Sequence, residues 1–206
     1  MKFLAFTDIH QNEKQIKVLL ARAKEKDIDF VVCTGDFSMF GRGAQKMLGQ
    51  FNALKKKLYI IPGNHEEQGT FFADVISGFE FVEGVHAREV KVGNYLFVGY
   101  GTGGFAQEDA EFRKIARKWY SEFRDEKMIL LLHGPPFGTT ADLLGDRHVG
   151  HKDYRAFIER AKPKLVICGH LHETFGAVDM IGATKVVNPG QEGMVIEMKW
   201  KVKKIF

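Results

Sequence analysis

Five short polar motifs, each directly after an apolar run, are the feature that most constrains how this chain can fold. The apolar runs have the length and residue types of β-strands, and the motifs carry carboxylate, amide and imidazole groups. In open α/β sheets such groups collect at the carboxyl ends of the strands, so we expect them to meet at one edge. In chain order the motifs are Asp8-Ile9-His10, Gly35-Asp36, Gly63-Asn64-His65, His133-Gly134 and Gly169-His170-Leu171-His172.

The order of the predicted elements indicates two β-sheets packed together, with helices outside. Strands and helices alternate in the first third, which is typical of parallel strands joined by crossover helices, and consecutive strands end the chain. Asn12 stands where a helix N-cap is expected. The predicted strands are 2–7, 28–34, 57–61, 85–92, 95–100, 127–132, 164–168, 175–181, 184–187 and 193–204, and the predicted helices are 12–26, 43–56, 107–124 and 152–162.

Length and composition favour one α/β domain over residues 1–206 and exclude few functions. A chain of 206 residues can bury a sizeable core, and its net charge of +4 is too mild to argue for nucleic acid. Cys33 and Cys168 lie inside apolar runs, and we interpret them as buried residues rather than a disulfide framework. We therefore expect a cytoplasmic protein, with no signal peptide and no run near the roughly 18 apolar residues that span a membrane.

The residue types in the motifs favour a site for two divalent metal ions. Asp8 and His10 are two residues apart, and an extended chain would turn both side chains toward the same ion. The Asp36 carboxylate can bridge two cations, whereas His65, beside Asn64, is better placed as an acid or a phosphate-binding group. Oxygen and nitrogen ligands without thiolate suit manganese, iron, zinc or nickel. The candidate metal ligands are Asp8, His10, Asp36, Asn64, His133, His170 and His172.

With these motifs the chain resembles the calcineurin-like metallophosphoesterases, in particular the small members with one domain. Their pattern is D-x-H, G-D, G-N-H-[DE], a later H and G-H-x-H, and Asn188-Pro189-Gly190 also resembles a late turn of the family. The resemblance implies a four-layer αββα sandwich of two mixed sheets, with a dinuclear metal site at the strand ends. It implies one metal on Asp8, His10, Asp36 and His172, and a second on Asp36, Asn64, His133 and His170.

The activity implied by the resemblance is hydrolysis of small phosphodiesters or phosphomonoesters by a metal-bridging hydroxide. Asp36 would be shared by the two ions, and His65 would contact the phosphate and help the leaving oxygen depart, so both are candidate catalytic residues. Manganese is our first choice for both ions, with iron, zinc and nickel as alternatives. The expected partner is a small phosphate ester.

Two departures from related sequences refine this prediction. Phosphoprotein phosphatases read G-D-x-V-D-R-G at the second motif, and Met39 and Phe40 replace the second Asp and the Arg, which disfavours a protein phosphatase. Glu66 is then a candidate to orient His65, with a solvated acid as the alternative. His148 lies in a partial match to the H-x-G-S loop of small relatives and is a candidate substrate-binding residue, with an ordinary polar loop residue as the alternative.

Two other functions remain in view. A nuclease acting on DNA or RNA is the second enzyme hypothesis, although such relatives usually carry an additional DNA-gripping domain. A non-catalytic metal-binding scaffold of the same fold, like the retromer subunit, is the third, although here every ligand position and His65 are present. Homo-oligomerisation through Phe71-Phe72 and Phe79-x-Phe81 is an open alternative to core packing.

Overall fold

The computed structural model describes residues 1–67 and 71–198 and has the α/β architecture expected from the sequence. The strands are β1 (Lys2–Phe6), β2 (Phe30–Cys33), β3 (Leu58–Ile60), β4 (Val82–Gly84), β5 (Arg88–Val92), β6 (Tyr95–Tyr100), β7 (Met128–Leu132), β8 (Leu143–Leu144), β9 (Arg147–His148), β10 (Leu165–Ile167), β11 (Val178–Ile181), β12 (Thr184–Val187) and β13 (Met194–Glu197). The α-helices are α1 (Glu13–Ala23), α2 (Ala44–Asn52), α3 (Phe71–Ile76), α4 (Ala110–Phe123) and α5 (Lys152–Ala161).

Two mixed sheets form the framework. The first has the order β13-β1-β2-β3-β4, and the second has the order β11-β12-β10-β7-β6-β5. The central strands of each sheet run parallel, while β13, β11 and β5 pair antiparallel with their neighbours. The parallel strands therefore end at a common edge. In chain order the five motifs follow β1, β2, β3, β7 and β10.

Strand alternation separates three hydrophobic cores and so produces four layers. In β1, Phe3 and Ala5 pack in the core between the sheets, where Phe3 stacks on Phe30 and lies edge-on to Phe97. Leu4 and Phe6 point the other way, into a core shared with α1 and α2. The outer face of the second sheet packs in the same way against α4 and α5. The layer order is helix, sheet, sheet, helix, which confirms the predicted fold class.

The predicted strands 95–100 and 184–187 are found with the predicted bounds, the other predicted elements are shorter, and three structures were missed. Asn12 caps α1 by accepting from the Gln15 N–H, as predicted. The final strand covers Met194–Glu197, and the rest of the predicted strand, from residue 199 on, lies outside the described residues. Helix α3, strand β4 and the β8–β9 hairpin have no counterpart in the sequence prediction, since each is six residues or fewer.

Two predictions about apolar residues are resolved by burial. Cys33 and Cys168 are buried and unpaired, as expected. Phe71, Phe72 and Phe79 pack against the core beneath α1 and α2, which supports core packing for these rings. In the described parts of the chain, no helix combines the length and the apolar character needed to cross a bilayer.

Candidate metal centre

The loops that carry the motifs approach one another so closely that only glycine fits at their contacts. A Cβ on Gly35 would lie 2.5 Å from the Gly63 nitrogen, and a Cβ on Gly169 would lie 2.1 Å from Thr7 Oγ1. Gly35 also has a φ of +104°, a conformation that side chains rarely adopt. These glycines bring the polar residues that follow them within ligand distance of one another.

The ligand residues themselves adopt left-handed backbone conformations. Asp8, His10, Asp36 and His170 have φ values of 53°, 40°, 48° and 69°. The prediction that Asp8 and His10 share a direction because the chain is extended was therefore wrong in its reason, although both side chains do face the same cluster. Strain of this kind persists where surrounding contacts enforce it, and here the His10 N–H donates to the Asp36 carbonyl over 3.0 Å.

Asp8 is a buried carboxylate with one oxygen in use and one free. Its Oδ2 accepts from Thr7 Oγ1 at 2.7 Å and from the His170 N–H at 2.8 Å. Its Oδ1 has no hydrogen-bond partner and lies 3.9 Å from His10 Nε2 and 3.7 Å from His172 Nε2. Burial opposes ionisation of Asp8, yet His172, His133 and Thr7 together lower its pKa, so the carboxylate is charged.

Asp36 stands at the centre of the cluster. Its Oδ2 lies 3.7 Å from His10 Nε2 and 3.8 Å from His65 Nε2, and its Oδ1 lies 3.6 Å from His133 Nε2. Oδ1 also accepts the His65 backbone N–H at 3.0 Å. Among the described residues, three groups of potential ligands have their ligand atoms within 4.8 Å of one another, and Asp36 belongs to two of these groups. They are Asp8, His10 and His172; His10, Asp36 and His65; and Asp36, His133 and His170.

His133 and Asn64 present lone pairs to each other. His133 Nδ1 lies 2.9 Å from the Thr34 carbonyl, which can only accept, so Nδ1 carries a proton, and in the neutral ring Nε2 then carries a lone pair. Nε2 is 2.9 Å from Asn64 Oδ1, which is also an acceptor. Two acceptors and the nearby Asp36 carboxylate converge without a proton between them, an arrangement that a cation stabilises.

Two of the remaining histidines, His170 and His10, are suited to bind a cation through neutral rings. Burial, together with His133, lowers the pKa of His170 to about 4, and its Nε2 is buried without a partner. Burial also lowers the pKa of His10, whereas Asp8 raises the pKa of His172. Neutral imidazole, carboxylate and amide oxygens form a donor set that fits divalent transition metals.

Glu66 does not orient His65, and it is not a solvated acid; both predictions for this residue were wrong. It is buried, and its Oε2 accepts from the N–H groups of Asp36 and Gly63, each at 2.9 Å. Its Oε1 accepts from the Ser38 N–H at 3.0 Å and hydroxyl at 2.6 Å. Glu66 therefore fixes the two motif loops to each other, although burial raises its pKa.

The His65 ring is held by aromatic contacts. It stacks on Phe40, with ring centroids 4.1 Å apart and planes 17° apart, and it meets His10 edge-on at 4.6 Å. Its Nδ1 is buried without a hydrogen-bond partner. Sequence comparison identified Phe40 only as a departure from a related motif, and the stacking contact is visible only in the fold.

Six of the polar residues described above line the floor of an open cleft of about 610 Å³. Loops after β2 and β6 and the β8–β9 hairpin form the walls, with Asn188 bracing the 171–174 turn through a donation to the Leu171 carbonyl. The cleft is lined by His10, Asp36, Met39, Asn64, His65, Phe105, Leu144, His170, Leu171, His172 and Glu173.

His148 is not among the residues that line this cleft. Its Nδ1 bonds to Asp142 Oδ1 at 2.7 Å, and its ring faces Phe137. It thereby fixes the β8–β9 hairpin, whose Leu144 does reach the cleft. Contact of His148 with substrate stays a prediction. His86 also lies outside the cleft lining, and its Nδ1 accepts the Gly101 N–H at 3.0 Å.

Comparison with known proteins identifies the family of this chain. The family model described as calcineurin-like phosphoesterase matches residues 1–174, which is most of the chain. The chain belongs to the calcineurin-like phosphoesterase family. It is therefore a hydrolytic metallophosphoesterase, as the motifs indicated, and its described residues include His and Asp clusters that could hold a metal ion.

Individual relatives of this calcineurin-like phosphoesterase are distant. The UPF0046 protein K07C11.7 of Caenorhabditis elegans is 25% identical over 215 residues, covering 93% of this chain and 70% of that protein. TT1561 of Thermus thermophilus superposes with a TM-score of 0.75 at 19% identity, covering 93% of this chain and 90% of its own. A dimetal phosphatase from Danio rerio gives 0.62 at 10% identity, covering 91% and 86%. These structures establish the shared fold.

Proposed function

We propose that this phosphoesterase hydrolyses small phosphodiesters or phosphomonoesters with two divalent metal ions in the cleft. The observation that carries the proposal is the overlap of the three ligand groups through Asp36 and His10. Overlapping groups can hold two ions side by side, whereas separate groups would hold isolated ones. The buried, unpartnered atoms Asp8 Oδ1 and His170 Nε2 support the same conclusion, because each would be stabilised by a cation.

The residues that would hold the ions fall into two sets that share Asp36. Bound divalent ions supply Lewis acidity toward the phosphoryl group and a source of hydroxide at neutral pH. Oxygen and imidazole ligands without thiolate suit manganese, iron, zinc and nickel alike, and manganese is our first candidate among them. The first set is Asp8, His10, Asp36 and His172, and the second is Asp36, Asn64, His133 and His170.

His65 is the proposed acid for the leaving oxygen. It lines the cleft, its Nε2 lies 3.8 Å from Asp36 Oδ2, and its ring is held flat against Phe40. A ring positioned in this way can donate a hydrogen bond to the phosphate and a proton to the departing alkoxide, and it needs no covalent enzyme intermediate.

The two buried, unpaired thiols are consistent with action in a reducing cytoplasm.

Metal content and turnover measured on the same sample test the proposal. We expect chelator-treated protein to be inactive, and we expect manganese to restore about two ions per chain and hydrolysis of p-nitrophenyl phosphate or bis(p-nitrophenyl) phosphate. Iron, zinc and nickel tested separately identify the preferred metal. Two bound ions without turnover of any ester would favour the scaffold hypothesis, and failure to bind ions would overturn the proposal.

A further inference from the structure

The walls of the cleft carry exposed apolar side chains that packing does not explain. Among the described residues, six large hydrophobic side chains are exposed. Two of them, Phe105 and Leu144, line the cleft, and a third, Phe40, stacks on the cleft residue His65. They come from three different loops that meet at the metal site. Phe105 is the most exposed of the six, at 62%. Apolar surface collected at a site, rather than scattered singly, marks a place where an apolar ligand binds.

Phe105 is presented to the cleft by a short, fixed loop. Thr102 donates its N–H to the Pro62 carbonyl at 3.0 Å, and the Ala106 N–H donates to the Gly103 carbonyl at 2.8 Å. These bonds turn the chain so that the Phe105 ring meets the edge of His170, with centroids 4.4 Å apart. The ring therefore borders the proposed second metal set rather than packing into a core.

Leu144 reaches the cleft from the tip of an equally fixed hairpin. The hairpin is anchored by Asp142, whose two oxygens accept four hydrogen bonds, including one from His148. Met39 adds another apolar side chain from the loop after β2. Apolar groups thus stand on more than one side of the polar floor.

The charge of the lining restricts what can accompany the phosphate. No Lys or Arg is found among the cleft-lining residues in the part of the chain that the structure describes, and Glu173 adds a negative charge. A substrate with further phosphates, such as a nucleic acid, needs cationic side chains to neutralise them. The cleft provides ligands for one phosphoryl group and apolar surface for what is attached to it.

We propose that the physiological substrate is a phosphate ester that carries an uncharged, apolar organic group, preferably an aromatic ring. This group would bind against Phe105 and Leu144. This inference rests on the proposed function. An aromatic ring can stack on or meet the edge of Phe105 while its phosphate lies over the histidine cluster. The volume of about 610 Å³ is large enough for both parts.

Two esters with the same leaving group test this inference. They are p-nitrophenyl phenylphosphonate and p-nitrophenyl methylphosphonate. The enzymatic rate for each ester is divided by the rate of its alkaline hydrolysis, which removes the difference in intrinsic reactivity. We expect the manganese-loaded enzyme to prefer the phenyl ester by about tenfold in kcat/KM, since a matched apolar pocket discriminates by at least that much. Calorimetry with phenylphosphonate and methylphosphonate, which are not hydrolysed, should show the same order of binding.

Variants separate the wall from the metal site. Phe105→Ala should bring the phenyl-to-methyl ratio close to one, and Leu144→Ala should lower it less, mainly through KM for the phenyl ester. Val18→Ala, which truncates an exposed side chain on α1, is the matched control and should leave the ratio unchanged. Equal kcat/KM for both esters, or a Phe105→Ala ratio like that of the parent, would overturn the inference while leaving the proposed function standing. Hydrolysis of neither ester would count against the function itself.

Discussion

The metal cleft and the base of the β8–β9 hairpin both contain buried aspartates, and they differ in how the carboxylate oxygens are satisfied. Asp142, directly before the first strand of the hairpin, accepts from the N–H groups of Gly138, Thr139 and Gly150 and from His148. In the cleft, Asp8 Oδ1 accepts nothing and faces imidazole nitrogens 3.7 to 3.9 Å away. The hairpin site is complete without a ligand, and the cleft is not.

This difference separates a structural acid from a ligand by a physical criterion rather than by a motif. A buried carboxylate costs several kcal/mol unless hydrogen bonds or a cation satisfy it. Four donors satisfy Asp142. One of them is His148, which thereby stabilises the hairpin. The free oxygen of Asp8 and the facing lone pairs of Asn64 and His133 leave a cation as the group that completes the cleft.

The largest effect is expected from Asp36→Asn. The substitution keeps the shape but removes the charge shared by two ligand groups, so metal pairing should be lost and kcat/KM should fall by at least about 10³-fold. Metal analysis and turnover on one preparation measure both quantities. The melting temperature of the chelated protein should change little, and two ions retained at full occupancy would contradict the role assigned to Asp36.

His65→Ala should be nearly as damaging to turnover but should leave the metals in place. Loss of a positioned acid slows hydrolysis by about 10²–10⁴-fold, mainly in kcat. Esters with a good leaving group, such as p-nitrophenolate, should suffer less than alkyl esters, because they need less protonation. An unchanged rate would remove His65 from the mechanism, and loss of one ion would make it a ligand instead.

Much of the fold and the cleft could be predicted from the sequence because their signals are local. Strands such as β7 are continuous apolar runs, and the motif that follows each run lies at the end of a parallel strand. Because β7 and β10 pair in parallel, His133 and His170, which follow these strands, lie at the same edge of the sheet.

The rest depended on contacts between residues distant in sequence. Glu66 bonds to backbone groups up to 30 positions away, and nothing in its own surroundings distinguishes it from a solvated acid. Phe105 and Leu144 meet at the cleft only because two loops converge there. The left-handed backbone at Asp8 and His10 likewise arises from bonds between loops, not from local preference.

Asp142→Asn is the counterpart of the Asp36 substitution and should affect stability instead of metal binding. The amide nitrogen of Asn would oppose backbone N–H groups that now donate to the carboxylate, which costs about 1–3 kcal/mol of the free energy of unfolding. Urea unfolding of the chelated protein measures this loss. Metal content should stay at the parent value, and a loss of ions without destabilisation would show that the two aspartates are not different in kind.

Phe40→Ala tests how the cleft positions its acid, and its effect should be the smallest. Phe40 is 61% exposed, so its removal should barely change the melting temperature. The His65 ring would lose the face that holds it, and we expect kcat to fall by about tenfold, since misplacement of a reacting group slows chemistry more than binding. A double-mutant cycle decides the cause. In a His65→Ala background, Phe40→Ala should have no further effect on kcat if Phe40 acts through His65, whereas a second tenfold loss would mean that Phe40 contacts the substrate directly.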